Sequence, residues 1–376
     1  MIELVDIYIS LNGGNLKHTR ILKIVFATML FGLSLACTPE HLQSTFDPKG
    51  PIARDQGWLF ELLFWAMAAV FIVVQTGLVY TIIKYRRKSE NELPKQVHGH
   101  DKLEIAWTIA PIFVLAVVAI PTVSMIFEHD EIPTNKPKIE VTAEGYQWWW
   151  GFDYTDENIN LTTANELHIP TDTVINVSLK SENVIHSFWI PKLAGKMDLV
   201  PNNNNSMWFI ADEPGEYYAQ CAEYCGTSHA NMKFKVYAHD QAGFDEWVAN
   251  EQKSANASLI ECASADANCS GLAAKGAYIF ANKKFSGVIR GQQVDNQMCA
   301  ACHTVAGMKI RGNAGPVLTH VASRTTIASG IYDNTEENLT SWITNPKDMK
   351  PGVYMPTLNF EQGDVQALVA YLQTLR

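Results

Sequence analysis

The sequence predicts a multidomain membrane protein: a two-helix transmembrane hairpin, then a small all-β domain, then a separate C-terminal domain. Three observations predict it. Two long apolar runs lie in the first third of the chain. A series of short strand-like segments with turn signals follows them. The seven cysteines are grouped, as Cys221/Cys225, Cys262/Cys269 and Cys299/Cys302, with Cys37 alone. Of 376 residues, 47% are hydrophobic and only 18% charged. That is lean in charge for a soluble protein of this length, so part of the surface faces lipid. The formal net charge of −10 argues against nucleic acid as a partner.

The expected domains run in order: a signal peptide over residues 1–36, an N-terminal segment with the hairpin over 37–127, a β domain over 128–252, a linker over 253–270, and a last domain over 271–376. Near the start, Lys17, His18, Arg20 and Lys23 precede an apolar run over 24–36. A charged region before a short apolar one reads as a secretory signal, too short to span a bilayer comfortably. It ends at Leu33, Ser34, Leu35, Ala36 and Cys37, which resembles a bacterial lipoprotein cleavage box with Ser34 where leucine is usual. That resemblance implies a lipidated Cys37; a plain signal or a retained anchor is the alternative.

Residues 59–83 carry only Glu61 as a charge, and residues 105–127 carry none. At 1.5 Å per residue, each run is long enough to cross a hydrocarbon core of roughly 30 Å. Neither shows the polar face of a soluble helix. Pro111 and Pro121 are tolerable in a membrane helix. The loop between the runs holds Lys84, Arg86, Arg87, Lys88, Lys95 and Lys102, and positive loops stay in the cytoplasm. Everything after residue 127 is therefore expected outside, where disulfides and covalent haem are permitted.

From residue 139 the pattern alternates, as in 139–143, 174–179 and 233–237, with turns such as Glu213-Pro214-Gly215 between. This reads as a small sandwich or barrel. Within it, Cys221, Cys225, His229 and Met232 stand in the spacing Cys-x-x-x-Cys-x-x-x-His-x-x-Met. Two thiolates, an imidazole and a thioether form a soft donor set that favours copper. A structural zinc site would have no use for Met232. His186 offers a second imidazole from a neighbouring loop. One cysteine suffices for a mononuclear copper, whereas two cysteines four apart can bridge two ions that share one electron.

Residues 240–252 read as a polar helix with Phe244, Trp247 and Val248 on one face. The Ala-, Ser- and Asn-rich stretch after it reads as the linker, and a Cys262–Cys269 disulfide is expected there. Cys299, Cys302 and His303 form Cys-x-x-Cys-His, the attachment signature of c-type haem, with His303 as axial ligand. A thioredoxin-like pair is disfavoured by the histidine that follows directly. The sixth ligand is expected downstream, from Met355, Met349 or His320. A helix over 362–372 closes the domain, and residues 282–296 are more than a compact haem domain needs. Residues 128–245 hold 18 acids against 7 lysines, a net of −11, while residues 271–376 hold 10 basic and 7 acidic residues, a net of +3. The basic domain is expected to dock on the acidic one by charge.

Taken together, the hairpin, the β domain and the ligand motif resemble subunit II of haem-copper cytochrome c oxidases, and the C-terminal part is similar to the fused cytochrome of the caa type. The resemblance implies a cupredoxin-like β domain and an all-α class I cytochrome c domain. It implies a binuclear CuA centre in which Cys221 and Cys225 bridge the ions, His186 and His229 each bind one, and Met232 and the Glu223 carbonyl complete the set. The Glu223 side chain would reach a magnesium shared with subunit I. Trp148 would receive electrons, and Glu104 would stand at the mouth of a proton pathway. Trp148 read alone is equally an aromatic belt or core residue, and Glu104 read alone is a helix-dipole partner. Met355 becomes the sixth haem ligand, Pro316 orients His303 through its carbonyl, and Arg324 takes a haem propionate.

The implied function is electron transfer from a periplasmic donor such as cytochrome c, through haem c and CuA, to subunit I. Oxygen is reduced there and protons are pumped, so no catalytic residue lies in this chain. Subunits I and III and the bacterial inner membrane are the implied partners, with the copper and haem domains on the outer side. Where the family usually has an arginine after Pro201, this chain has Asn202 to Asn205. A nitrous-oxide reductase would need a further histidine-rich domain, and a quinol-oxidase subunit would lack the copper ligands.

Overall fold

The computed structural model describes residues 23–25, 27–28, 41–87, 89, 96, 98–264, 270–309 and 312–376. The lipobox at Cys37 lies outside the described residues, as do Lys88 and Lys95 of the positive loop. Helix α1 spans Pro51–Lys84 and α2 spans Asp101–Asp130. Both are longer than the apolar runs, because each continues into polar residues at its ends. Pro51 starts α1 at the position where a missing N–H costs nothing. At α2, His100 caps the helix by accepting from the Leu103 N–H, and Glu104 Oε1 accepts the His100 N–H at 3.2 Å. The mean hydropathy of the apolar windows is 2.2 and 2.4, and none of either window is buried against protein. Large apolar side chains such as Phe71 and Ile120 point outward, which is stable only in lipid.

The β domain stands on one end of this hairpin. His129 Nε2 lies 3.1 Å from Asp55 Oδ2, which joins the end of α2 to the start of α1. The Trp208 indole donates to the His129 carbonyl at 2.9 Å, and Arg54 pairs with Asp212.

Ten strands follow: β1 Lys138–Tyr146, β2 Trp149–Tyr154, β3 Leu161–Ala164, β4 Glu166–Pro170, β5 Val174–Ser181, β6 His186–Trp189, β7 Lys196–Leu199, β8 Asn205–Phe209, β9 Gly215–Cys221 and β10 Lys233–His239. They form two five-stranded sheets, ordered β3-β2-β1-β5-β8 and β4-β10-β9-β6-β7. β1 pairs with β5 in parallel, and β4 with β10, while the other pairs are antiparallel. Alternate residues of β1, Val141 and Ala143 among them, turn inward as the period-2 pattern requires. Trp150, Phe152, Phe188, Phe209 and Phe234 fill the space between the sheets. Each such ring contributes about 1.5–3 kcal/mol by leaving water. This is the cupredoxin-like sandwich.

Helix α3, Gln241–Glu251, is capped by Asp240, which accepts the Gly243 N–H at 2.8 Å. The expected linker then differs from a plain tether. Residues Ala257–Ser264 form α4, and Leu259 and Ile260 pack onto the core of the C-terminal domain. Cys262 is disulfide-bonded, and its expected partner Cys269 lies outside the described residues.

The C-terminal domain is built on α5, Leu272–Asn282, crossing the last helix, with Phe280 against Tyr371 at 5.7 Å. Between them come β11 Phe285–Ile289, β12 Gln292–Gln297, α6 Cys299–Cys302, β13 Thr326–Ile327, β14 Tyr332–Asp333, α7 Glu336–Thr344, α8 Pro346–Met349, β15 Thr357–Leu358 and α9 Asp364–Leu372. The surplus stretch before the haem motif is a hairpin, β11–β12, and β15 adds to it as a third strand. The domain is helical with this small sheet added.

Candidate functional site

The expected copper donors sit where two loops of one sheet meet. β6 and β9 are paired, with Phe188 opposite Cys221. That register sets His186, at the start of β6, beside the loop that follows β9. Cys221 Sγ and Cys225 Sγ are 3.8 Å apart, far beyond a disulfide bond of about 2.05 Å. Cys221 Sγ lies 3.8 Å from His186 Nδ1 and 3.2 Å from the Glu223 carbonyl oxygen. Cys225 Sγ lies 3.7 Å from His229 Nδ1 and 3.9 Å from Met232 Sδ. Cys221, Cys225, His186 and Met232 are all buried. All six expected donors are thus brought together: two sulfurs flanked on one side by an imidazole and a carbonyl, on the other by an imidazole and a thioether.

The thiols hold each other in unequal states. Hydrogen bonding with Cys225, aided by His186, holds the Cys221 thiol well below its ordinary range. The same contact with a Cys221 thiolate, together with burial, pushes Cys225 up. A cation between the sulfurs would relieve that repulsion and displace the shared proton. Soft, buried, mutually repelling donors with two imidazoles fit copper better than zinc.

Residues with no motif of their own orient this set. His186 Nε2 lies 3.1 Å from Asn183 Oδ1. That bond places the ring proton on Nε2 and leaves the Nδ1 lone pair toward Cys221. The Trp148 indole donates to the Cys225 carbonyl at 3.0 Å, and Gln147 Nε2 donates to the same oxygen at 2.7 Å. Trp148 is 3% exposed because the C-terminal domain covers it. The Tyr354 ring stacks on it, with centroids 5.6 Å apart and planes at 16°. Glu223 is half-buried, and Glu104 lies apart from this cluster in the first turn of α2. The asparagine segment closes the β7–β8 turn: Asn202 takes a left-handed φ of 62°, and Asn205 donates to the Asp198 carbonyl at 2.7 Å.

In the C-terminal domain, Cys299 and Cys302 share the single turn of α6, and His303 follows it. His303 Nδ1 donates to the Pro316 carbonyl at 2.8 Å. Burial holds the ring below its ordinary pKa against that hydrogen bond, so Nε2 keeps a free lone pair for iron. A Cβ on Gly315 would stand 2.6 Å from His303 Cε1, so only glycine lets the ring pack there. Cys299, Leu318, Tyr332, Trp342 and Leu358 are partly buried against the core. A thiol pair, a fixed imidazole and an apolar surround fit a covalent haem. Arg324 donates to the Val317 carbonyl at 2.5 Å. His320 turns Nε2 to the Lys253 carbonyl at 3.1 Å. Met349 ends α8, and Met355 lies in the loop before β15, next to Tyr354.

Residues 39–125 match the family described as cytochrome C oxidase subunit II, transmembrane domain, and residues 157–238 match its periplasmic domain. Residues 288–376 match cytochrome c. Among curated proteins, cytochrome c oxidase subunit 2 of Alkalihalophilus pseudofirmus is 37% identical over 95% of this chain and 97% of its own length. That of Bacillus sp. strain PS3 is 33% identical over 92% and 96%. Among solved structures, the periplasmic domain of subunit II of cytochrome oxidase from Bradyrhizobium japonicum is 28% identical and covers 32% of this chain and 97% of that one, with a TM-score of 0.30.

Proposed function

The chain belongs to the cytochrome c oxidase subunit II family, with a cytochrome c domain fused at its C-terminal side, and from that premise we propose that it accepts electrons through a covalent haem c and passes them through a binuclear CuA centre to subunit I. As part of a haem-copper oxidase it is an electron-transfer subunit anchored in a membrane by two spans. The observation that carries the finer reading is the pair of sulfurs 3.8 Å apart, each with its own imidazole nitrogen within 3.8 Å. Cys221, Cys225, His186, His229, Met232 and the Glu223 carbonyl would hold the copper. When bound, the two-copper centre and the haem each supply one-electron redox chemistry with little change of shape.

The chain's own residues give the route its form. Cys299 and Cys302 hold the haem, His303 ligates it, and Pro316 fixes that ring. Met355 would supply the remaining haem ligand, since His320 is engaged by the Lys253 carbonyl. Arg324 serves a haem propionate. Trp148 is the point where electrons cross into the copper domain, supported by its hydrogen bond to the Cys225 carbonyl and by Tyr354 on its face. Both domains stand outside the bacterial inner membrane. The positive loop between the spans supports this side, as does the β domain packed on their other ends. Oxygen reduction in subunit I drives proton pumping. In this reading Glu104 stands at the proton pathway, the Glu223 side chain shares a magnesium with subunit I, subunit III completes the complex, and a periplasmic cytochrome c is the donor. Cys37 is lipidated after removal of residues 1–36, and the domains follow in the order read from sequence, with α4 belonging to the C-terminal domain.

Stopped-flow reduction of the purified oxidase, with copper and haem counted per chain, tests this reading. The haem c band is expected to be reduced first and a near-infrared copper band to follow. Zinc in place of copper, or copper reduced normally in a chain without haem c, would overturn it.

A further inference from the structure

The faces that the copper and haem domains turn to each other are joined at two buried ionisable side chains, one from each side. Glu166, at the start of β4, is 2% exposed. Its Oε1 accepts the N–H of Thr325 at 2.9 Å and of Thr326 at 3.0 Å, and their hydroxyls at 2.9 and 3.1 Å. Tyr237 of the copper domain also meets the Thr325 hydroxyl. Lys350, just after α8, is likewise 2% exposed. Its Nζ donates to the Trp148 carbonyl at 2.5 Å, the Ser329 hydroxyl at 2.7 Å and the Ala328 carbonyl at 3.3 Å. The Ser329 hydroxyl donates to the same Trp148 carbonyl at 2.9 Å.

A buried charge is tolerated only when fully hydrogen-bonded. Glu166 Oε1 finds that satisfaction in the other domain, while its Oε2 faces His168 of its own domain at 3.8 Å, and Lys350 finds part of it across the interface. Charge-assisted bonds such as those to Glu166 are stronger than neutral ones, and buried ones are little screened by salt; burial pulls the Lys350 amine down to about 7, so its bonds gain that strength only while it is protonated. Burial works against the Glu166 charge, but the nearby His168 imidazole and Thr325 outweigh it and keep the carboxyl below its ordinary range. The Lys350 contact bears directly on the backbone of Trp148. Tyr354 lies over it, with Arg290 at the β11–β12 turn 4.9 Å from the Tyr354 ring centre and donating to its hydroxyl at 2.8 Å.

We propose that Glu166 and Lys350 are positioning residues that clasp the haem domain against Trp148, making it a stationary neighbour of the copper domain rather than a tethered shuttle. The inference rests on the reading that the C-terminal domain feeds the copper domain. It replaces steering between a basic and an acidic surface with contacts between defined atoms.

Hydrogen exchange of the intact oxidase, followed by mass spectrometry over residues 322–330 and 145–152, tests the clasp directly. Wild-type amides of Thr325 and Thr326 are expected to be protected at low and high salt alike. Lys350→Met and Glu166→Gln are expected to speed exchange there by roughly tenfold or more, and to make electron transfer between the domains sensitive to ionic strength. Haem content and the copper spectrum should be retained, which separates a failed clasp from a failed functional reading. Wild-type exchange at the rate of unstructured peptide, or variants within about twofold of wild type, would overturn the clasp. If the variants do not assemble, wild-type salt dependence decides alone: protection lost in high salt contradicts the clasp.

Discussion

The copper centre and the haem pocket are built in opposite ways. The copper donors come from two loops, over residues 183–189 and 221–232, joined by the register of β6 with β9. Sheet pairing brings the Cys221 sulfur and the His186 imidazole into contact. The haem donors Cys299, Cys302 and His303 are consecutive or nearly so around one turn of helix. A group held only by coordination needs a site assembled by tertiary structure. A group held by covalent bonds needs a local segment and an apolar surround. Supporting residues should therefore govern occupancy in the first region and electronic properties in the second.

That contrast can be broken most forcefully at Cys225. Cys225→Ser is expected to abolish the two-copper signal while haem attachment in the other domain is untouched, as metal counts and electron paramagnetic resonance would read. Met355→Leu should keep the haem attached but lower its potential by something on the order of 0.1 V, measured by spectroelectrochemical titration. An unchanged potential would shift the ligand role to Met349. Asn183→Ala removes the partner of His186 Nε2 and should weaken copper binding roughly 10–100-fold in a chelator competition. Haem content should not change.

Acid sharpens the comparison from the interface. The folded Glu166 carboxyl is held below its ordinary value of 4.5. Its contribution to docking is thus fully present above that value and is lost as pH falls through the lower, folded pKa. Exchange protection of Thr325 and Thr326 should accordingly persist at neutral pH and disappear only below the ordinary carboxylate range. The smallest effect is expected from Trp148→Phe, which removes one hydrogen bond to the Cys225 carbonyl, worth about 1 kcal/mol, in thermal unfolding followed at the copper band.

What was legible in the sequence follows the same division. Cys221, Cys225, His229 and Met232 read directly, because one loop carries all four at fixed spacing, and the haem motif is contiguous. His186 was legible as an available imidazole, but Asn183 was not. Its role depends on the turn before β6, although an amide three residues ahead of a candidate ligand was a usable signal. Glu166 and Lys350 left a weaker trace. A buried acid opening a short strand is an oddity that the partner domain's Thr325 and Thr326 explain. The membrane runs marked the lipid-facing parts of α1 and α2, yet not their full length, which is set by the Gly50-Pro51 start and the His100 cap. Helix α4 was hidden in an Ala- and Ser-rich stretch, where Leu259 and Ile260 alone gave too short a pattern to count as periodic.

The most direct test is electron paramagnetic resonance of the oxidised, purified oxidase. A hyperfine pattern from one unpaired electron shared equally over two copper nuclei is expected, alongside a low-spin haem c signal. A spectrum of copper confined to a single nucleus, or a copper-free protein carrying zinc at Cys221 and Cys225, would contradict it.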